Sequence, residues 1–254
     1  MGQLFSSATG GKVVLLTGAA GGIGTAAALA FAAAGAQLCL VDLSESRLHA
    51  IRARLERPSA HMVIAQDLVD IEAHAQLVDQ IVDHFGHLDA LVHFAAIIKR
   101  QYGFDAVTEA DWDSQIDTNL KATYFLNMAV ARVLKAQRSG TVINLASQAW
   151  WTGGLSGSLV YAISKGGVVT LTRGLARLLA PFGVTVNAVA PGLVDTEMMS
   201  ATPRNELAKL VAQVPMGRMA SPDEIASAVL FLASDSSRYL TGITLNVSGG
   251  QLIY

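Results

Sequence analysis

Short apolar runs alternate with longer amphipathic stretches along most of the chain. The apolar runs are rich in β-branched residues and have the lengths of buried strands. They are Val13 to Leu16, Gln37 to Val41, Met62 to Ala65, Ala90 to Phe94, Thr141 to Leu145, Val184 to Val189 and Ile243 to Val247. Because these runs are apolar on both faces, they predict a parallel sheet covered by helices on both sides.

The stretches between them repeat apolar residues every three or four positions, which is typical of helices. They are Thr25 to Ala34, Ser44 to Glu56, Ile71 to Phe85, Glu109 to Ala136, Val160 to Ala180 and Pro222 to Ala233. The alternation predicts an α/β fold, a doubly wound Rossmann-type sheet of about seven parallel strands, as one domain over residues 1–254. We expect residues 1–10 to form a flexible arm. Residues 195–219 interrupt the alternation and are expected to form a mobile flap over the substrate.

Composition extends this picture to the surface of the protein. Apolar residues make up 52% of the chain and charged residues 15%, whereas charged residues are about 25% of ordinary globular chains. This deficit favours burial of apolar surface between subunits. The formal net charge of -2 gives no general attraction for phosphate backbones, so nucleic acid is not an expected partner.

Three further features bear on compartment and partners. One cysteine, Cys39, permits no internal disulfide and is too little for a cysteine-based metal site, so we expect no metal and a reducing, cytoplasmic location. Two uncharged stretches, Thr17 to Val41 and Ser139 to Ser164, are long enough for a membrane span, but glycines break both, so no membrane partner is expected. The start fits the loose pattern for myristoylation at Gly2, but the pattern is short and no polybasic segment follows, which favours a frayed arm before the first strand.

A glycine-rich segment follows the first predicted strand. Thr17-Gly18-Ala19-Ala20-Gly21-Gly22-Ile23-Gly24 leads directly into an Ala-rich helix. Glycines here allow a tight turn and close approach of a pyrophosphate to the helix N-terminus. The segment therefore indicates a dinucleotide site, with a plain strand-to-helix turn as the alternative.

Acidic residues follow the next two strands. Asp42 ends the second strand, where a carboxylate accepts hydrogen bonds from ribose hydroxyls and repels a 2′-phosphate. No Lys or Arg lies between Gly18 and Gly24 or directly after Asp42, which favours NAD over NADP. The alternative for Asp42 is a helix N-cap partner of Ser44. Asp67 is either a partner of the adenine amino group or a turn aspartate.

A candidate acid–base pair lies in the fifth helical stretch. Tyr161 and Lys165 are four residues apart and project from one helix face. A neighbouring ammonium stabilises a phenolate, which suits a tyrosine for proton transfer near neutral pH. Ser147 follows the strand Thr141 to Leu145, where a loop at the sheet edge places its hydroxyl near the same phenol. Each residue alone has an ordinary structural explanation.

The order of these motifs from about Gly11 to Gly250 resembles the short-chain dehydrogenase/reductase family. The shared features are the Thr17-to-Gly24 loop, Asp42, Asp67, Asn119 within Asp117-Thr118-Asn119-Leu120, Ser147, Tyr161 with Lys165, and Asn187-x-Val189-x-Pro191-Gly192 leading to Thr196. The resemblance implies that Tyr161 is the acid/base, that Lys165 lowers the pKa of Tyr161 and holds the nicotinamide ribose, and that Ser147 orients the substrate oxygen. It also implies that Asn119 supports a water-linked proton relay to Lys165.

The same resemblance implies a set of NAD-binding residues. They are Gly18, Gly22, Ile23, Gly24, Asp42, Asp67, Leu68, Ala95, Tyr161, Lys165, Pro191, Gly192, Val194 and Thr196. Two departures from the family pattern stand out. His93-Phe94-Ala95-Ala96 replaces the usual Asn-Asn-Ala-Gly, with His93 expected to be a packed structural histidine. Ser147 is one residue further from Tyr161 than is common, so Trp150 to Gly154 are expected to form a longer loop over the substrate.

These inferences predict an NAD-dependent oxidoreductase that interconverts a secondary alcohol and a ketone. The chain resembles the gluconate and deoxygluconate dehydrogenase branch, which implies a sugar, sugar acid or polyol. The alternatives are a 3-oxoacyl carrier-protein reductase, which Asp42 disfavours because those enzymes commonly prefer NADP, and a non-catalytic NAD-binding scaffold. The family also implies a homotetramer. We expect the substrate pocket between the Trp150-Trp151 loop and a flap with Met198, Met199 and Arg204. Lys99, Arg100 or Arg204 is a candidate anchor for an anionic substrate; the alternative is that the tryptophans seal a subunit contact and the arginines are solvated.

Overall fold

The computed structural model describes residues 9–103, 105–154, 157–200 and 202–253. The expected arm at residues 1–10 lies outside this part except for Thr9 and Gly10, and Gly2 lies outside it as well. Among the described residues, no helix combines the length and the hydrophobicity that a bilayer span requires.

The strands form one parallel sheet, as the alternation of apolar and amphipathic segments predicts. They are β1 Val13–Thr17, β2 Gln37–Asp42, β3 Met62–Ala65, β4 Ala90–His93, β5 Gly140–Leu145, β6 Val184–Pro191 and β7 Thr244–Val247. In the described residues the sheet has seven strands in the order β3-β2-β1-β4-β5-β6-β7, all paired in parallel. The predicted Rossmann-type sheet is therefore confirmed. Strand order reverses between β1 and β4, and ligands bind at this point in such sheets.

Helices cover both faces of the sheet. They are α1 Gly22–Ala33, α2 Glu45–Arg52, α3 His74–Phe85, α4 Glu109–Ile116, α5 Ala122–Gln137, α6 Ala149–Thr152, α7 Leu159–Leu179, α8 Glu197–Ser200, α9 Arg204–Val211 and α10 Pro222–Ala233. One apolar core lies between the sheet and α1, α2 and α10, and a second lies between the sheet and α3, α5 and α7. The many alanines buried in α1 keep this helix close to the strands beneath it.

Two segments differ from the sequence-based expectation, and a third contains helices that the sequence pattern did not predict. The stretch Glu109 to Ala136 is not one α-helix, because a π-helical turn over Asp117–Lys121 separates α4 from α5. The predicted loop at Trp150 contains the short helix α6. Residues 195–219 contain α8 and α9. The conformation of such short segments is decided by packing against neighbours more than by the periodicity of their sequence. That residues 195–219 act as a flap stays a prediction.

Candidate active site

A cavity of about 520 Å³ opens at the carboxyl edge of the sheet, around the reversal point between β1 and β4. It brings together residues from the ends of six strands, β1 to β6. The residues predicted to bind NAD that line it are Gly18, Gly22, Ile23, Gly24, Asp42, Asp67, Leu68, Ala95, Tyr161, Pro191, Gly192, Val194 and Thr196, and Ser147 lines it as well. Lys165 and Asn119 are buried behind this wall. The sequence motifs therefore converge on one site.

The glycine loop after β1 is packed too tightly for side chains. Gly18 has a φ of 63°, and a Cβ there would lie 2.6 Å from the backbone nitrogen of Ala95. A Cβ on Gly24 would overlap the carbonyl oxygen of Gly18. The loop thus folds back on itself against the end of β4. The absence of side chains leaves the N-terminus of α1 open toward the cavity, as binding of a pyrophosphate requires.

The carboxylate of Asp42 is fixed by the backbone around it. One oxygen accepts a hydrogen bond from Ala20 N at 2.9 Å, and the other accepts one from Leu43 N at 2.8 Å. Ser44 caps α2 by accepting from Arg47 N, so Asp42 does not serve as the N-cap partner of Ser44. Asp42 instead connects the glycine loop to the end of β2, with its charge at the cavity wall.

A cation that the sequence interpretation missed lies beside this carboxylate. The Arg47 guanidinium donates to the Ala20 carbonyl at 2.8 Å and pairs with Glu197 at 3.2 Å, and both side chains line the cavity. The signal in the sequence is the N-cap Ser44, which places Arg47 three residues into α2 and turns it back toward the loop. No Lys or Arg directly follows Asp42 in the sequence, but in the fold Arg47 lines the same cavity as Asp42.

The predicted adenine side of the cavity is formed after β3. Asp67 accepts a hydrogen bond from Val69 N at 3.0 Å, as a turn aspartate does, while its side chain still lines the cavity. Leu68 is buried, and its carbonyl accepts a hydrogen bond from His74 Nε2 at 2.9 Å. The two interpretations of Asp67 are therefore compatible.

The opposite end of the cavity is closed by β6 and the segment that follows it. Pro191 ends β6, and its carbonyl accepts from Gln148 N, which fixes the loop carrying Ser147. A Cβ on Gly192 would lie 2.9 Å from the Cα of Ser248. Val194 pairs with Ala220 in an isolated bridge. The methyl group of Thr196 faces Gly22, so this segment contacts the glycine loop across the cavity.

Tyr161 and Ser147 meet at the cavity wall. Tyr161 is buried in the first turn of α7, and its hydroxyl is hydrogen-bonded with the side chain of Ser147. Burial raises the pKa of Tyr161 to about 12, while the Ser147 hydrogen bond and the charge of Arg100 act in the opposite direction. These two groups favour the phenolate in the structure. A lowering of this pKa by Lys165 stays a prediction.

Lys165 lies in the interior beside the phenol. Its Nζ donates to the Leu145 carbonyl at the end of β5 at 2.6 Å and lies 5.6 Å from the centre of the Tyr161 ring. Burial lowers the pKa of Lys165 to about 7. The four-residue spacing does bring the two groups together on one helix face.

Asn119 occupies the π-helical turn, a feature that is frequent at functional sites. Its side chain exchanges two hydrogen bonds of 2.8 Å with the backbone of Ile97, and its Nδ2 also donates to Ser164 Oγ at 3.2 Å. Asn119 thus connects the loop after β4 to α7, one turn from Tyr161.

The observed cavity wall contains only part of the substrate pocket that the sequence predicts. Met198 and Met199 line the cavity as expected. Trp150 instead packs against a small core of alanines and Val169, with the Arg173 guanidinium 5.6 Å from its ring. Arg204 lies on α9 in a separate, open depression. The helical conformation of α6 turns Trp150 toward the protein interior. The described residues that form the cavity wall include none of Trp150, Trp151, Lys99, Arg100 and Arg204.

The fold and the site together define a class of protein. A parallel sheet in this order, with a glycine loop after β1 and a Tyr–Lys pair at the switch point, is a Rossmann-type dinucleotide-binding oxidoreductase fold. A family model described as enoyl-(acyl carrier protein) reductase matches residues 18–251. The chain belongs to the short-chain dehydrogenase/reductase family.

Relatives cover almost the whole chain. It is 38% identical over 247 residues to the (2S)-[(R)-hydroxy(phenyl)methyl]succinyl-CoA dehydrogenase subunit BbsD of Thauera aromatica, covering 96% of this chain and 97% of that protein. It is 36% identical over 244 residues to the 3-oxoacyl-[acyl-carrier-protein] reductase FabG of Thermotoga maritima, covering 96% and 98%.

Solved structures show the same fold. The gox2181 crystal structure superposes with a TM-score of 0.94 at 29% identity and covers 100% of both chains. A protein described as a short-chain alcohol dehydrogenase from Sinorhizobium meliloti 1021 gives a TM-score of 0.89 at 32% identity, covering 95% of this chain and 96% of that one.

The glycine loop generates the first prediction. Gly24→Ala places a methyl group on the Gly18 carbonyl, so we expect at least a tenfold weaker affinity for NADH, measured by fluorescence titration, or loss of the folded state by circular dichroism. Gly174→Ala in α7 is the matched control, because its Cβ meets nothing within 4 Å. A folded Gly24→Ala protein with wild-type affinity would contradict the assignment of this loop.

Proposed function

We propose that this protein is an NAD-dependent oxidoreductase that interconverts a secondary alcohol and a ketone. The observation that carries the proposal is one continuous cavity with Asp42 at one end and the Ser147–Tyr161 pair at the other. Such a cavity accommodates a dinucleotide with its adenosine near Asp42 and its reactive ring near Tyr161. The residues present therefore fit the cofactor that the family binds.

The chemistry follows from the groups around Tyr161. Bound NAD supplies the hydride acceptor. In alcohol oxidation the Tyr161 oxygen accepts the hydroxyl proton, and in ketone reduction it returns that proton to the carbonyl oxygen. Ser147, hydrogen-bonded with Tyr161, orients the substrate oxygen. Lys165 supplies a charge beside the phenol, and Asn119 holds the backbone around α7 in place.

Asp42 supports the choice of NAD. A 2′-phosphate at this end of the cavity would meet a carboxylate held in place by two backbone N–H groups. Arg47 is the opposing consideration, because a guanidinium recognises phosphate well. Its ion pair with Glu197 and its hydrogen bond to Ala20 engage it in the structure, which leaves Asp42 as the dominant charge.

The second prediction concerns this choice. NAD should be used at least tenfold more efficiently than NADP, because a carboxylate–phosphate contact easily exceeds the roughly 1.4 kcal/mol that a tenfold preference requires. Kinetics with both cofactors test it. Asp42→Asn should narrow the gap by removing the charge while keeping an acceptor, whereas Arg47→Ala should leave the gap unchanged or widen it. Equal efficiency with both cofactors would overturn the assignment of NAD.

The third prediction tests the acid–base assignment. Tyr161→Phe should lower turnover at least about 100-fold, since proton transfer by a side chain usually contributes that much, while NADH affinity stays nearly unchanged. Lys165→Met should lower both turnover and NADH affinity. Steady-state kinetics and NADH titration separate the two effects. If Tyr161→Phe keeps more than about a tenth of the turnover, another group transfers the proton.

The substrate class rests on the cavity wall and the relatives. Ile97, Met198 and Met199 give the wall an apolar character suited to an acyl chain. BbsD and FabG are named for acyl-CoA and acyl-carrier-protein substrates. Together these observations favour a 3-oxoacyl or 3-hydroxyacyl thioester. A sugar acid is the second candidate, favoured by the charge that Arg100 places near Tyr161.

The fourth prediction is the outcome of a substrate panel. Acetoacetyl-CoA with NADH, and gluconate, 2-deoxygluconate and neutral polyols with NAD, should show turnover that is highest for the thioester. For an anionic sugar acid, Arg100→Ala should raise KM for the acid alone, and Arg204→Ala is the control because Arg204 lies in a separate depression. A protein that binds NADH but turns over none of these compounds would be a scaffold.

The fifth prediction concerns assembly. We propose a cytoplasmic homotetramer formed through α4, α5, α7 and the C-terminal strand region. Tyr124, Phe125 and Met128 of α5 and Leu159 and Ile163 of α7 expose large apolar side chains. Apolar side chains grouped in this way generally mark interfaces. Light scattering at micromolar concentration should give four times the protomer mass, and a monomer there would refute the proposal.

A further inference from the structure

A chain of buried hydrogen bonds runs from the sheet to the π-helical turn. His93 ends β4 and is paired in register with Thr17 of β1 on one side and Asn144 of β5 on the other. Its Nδ1 lies 2.7 Å from Thr17 Oγ1, and its Nε2 lies 2.9 Å from Thr123 Oγ1. All four side chains are less than 3% exposed. The ring therefore bridges a strand and α5 in a solvent-free region.

The Thr123 hydroxyl determines which atom donates and which accepts in each of these hydrogen bonds. Thr123 Oγ1 donates its one proton to the Asn119 carbonyl at 2.7 Å, so toward the imidazole it acts as an acceptor. His93 Nε2 must then carry the hydrogen, and in a neutral ring Nδ1 accepts from Thr17. Burial, together with the charges of Lys165 and His74, lowers the pKa of His93 to about 3, which keeps the ring neutral.

The chain continues to the helix that carries Tyr161. The Asn119 carbonyl accepts the hydrogen bond from Thr123, and the Asn119 side chain donates to Ser164 Oγ at 3.2 Å. Ser164 Oγ in turn donates to the Tyr161 carbonyl at 2.7 Å. One unbroken sequence of hydrogen bonds thus connects the end of β1 to the backbone of Tyr161.

We propose that His93, as a neutral Nε2-protonated ring, is a positioning residue that holds the Asn119 turn, and through it the Tyr161 backbone, in the geometry for proton transfer. The inference deepens the proposed function, on which it rests for the role of Tyr161. His93 is not among the described residues that line the cavity, and its hydrogen bond to Thr123 is the one that leads to Asn119.

Two substitutions at His93 separate its two contacts. The terminal atoms of glutamine reach about as far as Nε2, so His93→Gln can still donate to Thr123. The terminal atoms of asparagine reach about as far as Nδ1. His93→Asn therefore keeps an acceptor for the Thr17 hydroxyl but loses the hydrogen bond to Thr123. If His93 acts through Thr123, glutamine preserves function and asparagine does not, although asparagine is the residue more usual in the family at this position.

The first experiment does not depend on activity. Two-bond ¹H–¹⁵N spectra of protein labelled at histidine nitrogens, assigned by the signal missing in His93→Gln, report the tautomer directly. We expect Nε2 protonated and Nδ1 bare, unchanged from about pH 5 to about pH 9. A ring that titrates in this range, or an Nδ1-protonated ring, would overturn the proposal even if no substrate is turned over.

The second experiment measures turnover with NADH and acetoacetyl-CoA, or with NAD and gluconate if the panel selects the acid. We expect kcat to fall at least tenfold in His93→Asn, His93→Leu and Thr123→Val, with KM for the cofactor within about twofold. His93→Gln should retain at least about a third of kcat. The pH profile of kcat should shift in the impaired variants, because the environment of the phenol changes.

Thr172→Val is the matched control for buried hydrogen-bond loss. Thr172 is equally buried and accepts from Asn144 in the adjoining polar cluster, which meets Thr123 at its backbone carbonyl through Asn127 and not at the hydroxyl that bonds His93. We expect it to lower thermal stability while leaving kcat and its pH profile unchanged. If Thr172→Val shifts the profile as His93→Leu does, or if His93→Asn equals or exceeds His93→Gln, the role of His93 is only structural and the proposal fails.

Discussion

The hydrogen bond from Lys165 to the Leu145 carbonyl is the constraint on which the site depends. An ammonium taken out of water is costly unless it is paired or hydrogen-bonded, and here its described partner is the last carbonyl of a central strand. That contact fixes α7 across the ends of β5 and β6, and it sets the height at which Tyr161 emerges from the helix. The same burial lowers the pKa of Lys165.

Placing α7 there requires its neighbours to come close. Gly167 faces the π-helical turn, where a Cβ would lie 2.6 Å from the side chain of Leu120. This approach lets Asn119 reach both Ile97 and Ser164. Beneath it, Asn127, Asn144 and Thr172 satisfy one another's side chains in the core between α5, β5 and α7. A fully satisfied buried network of this kind rigidifies its surroundings.

The two ends of the cavity solve different physical problems. At the end where we propose that adenosine binds, the Asp42 carboxylate accepts from the Ala20 N–H and the Arg47 guanidinium donates to the Ala20 carbonyl. At the end where we propose that the reaction takes place, burial raises the pKa of Tyr161 and the Ser147 hydrogen bond acts in the opposite direction. Met198 and Met199 close the space between them with flexible apolar side chains, which adapt to the shape of a substrate.

The sequence by itself determined the strands, the parallel sheet, and the Gly18 to Gly24, Asp42, Ser147 and Tyr161–Lys165 positions, because periodicity and short local spacings encode them. Tertiary structure alone decided the rest. Arg47 lines the cavity, Trp150 packs against the core, and Arg204 lies in a separate depression. The π-helical turn at Asp117–Lys121 interrupts a helical pattern that is continuous in the sequence, and the bridge from His93 to Thr123 joins buried residues 30 apart in sequence. Hydrogen bonds between distant elements leave no periodic signal in the chain, so only packing reveals them.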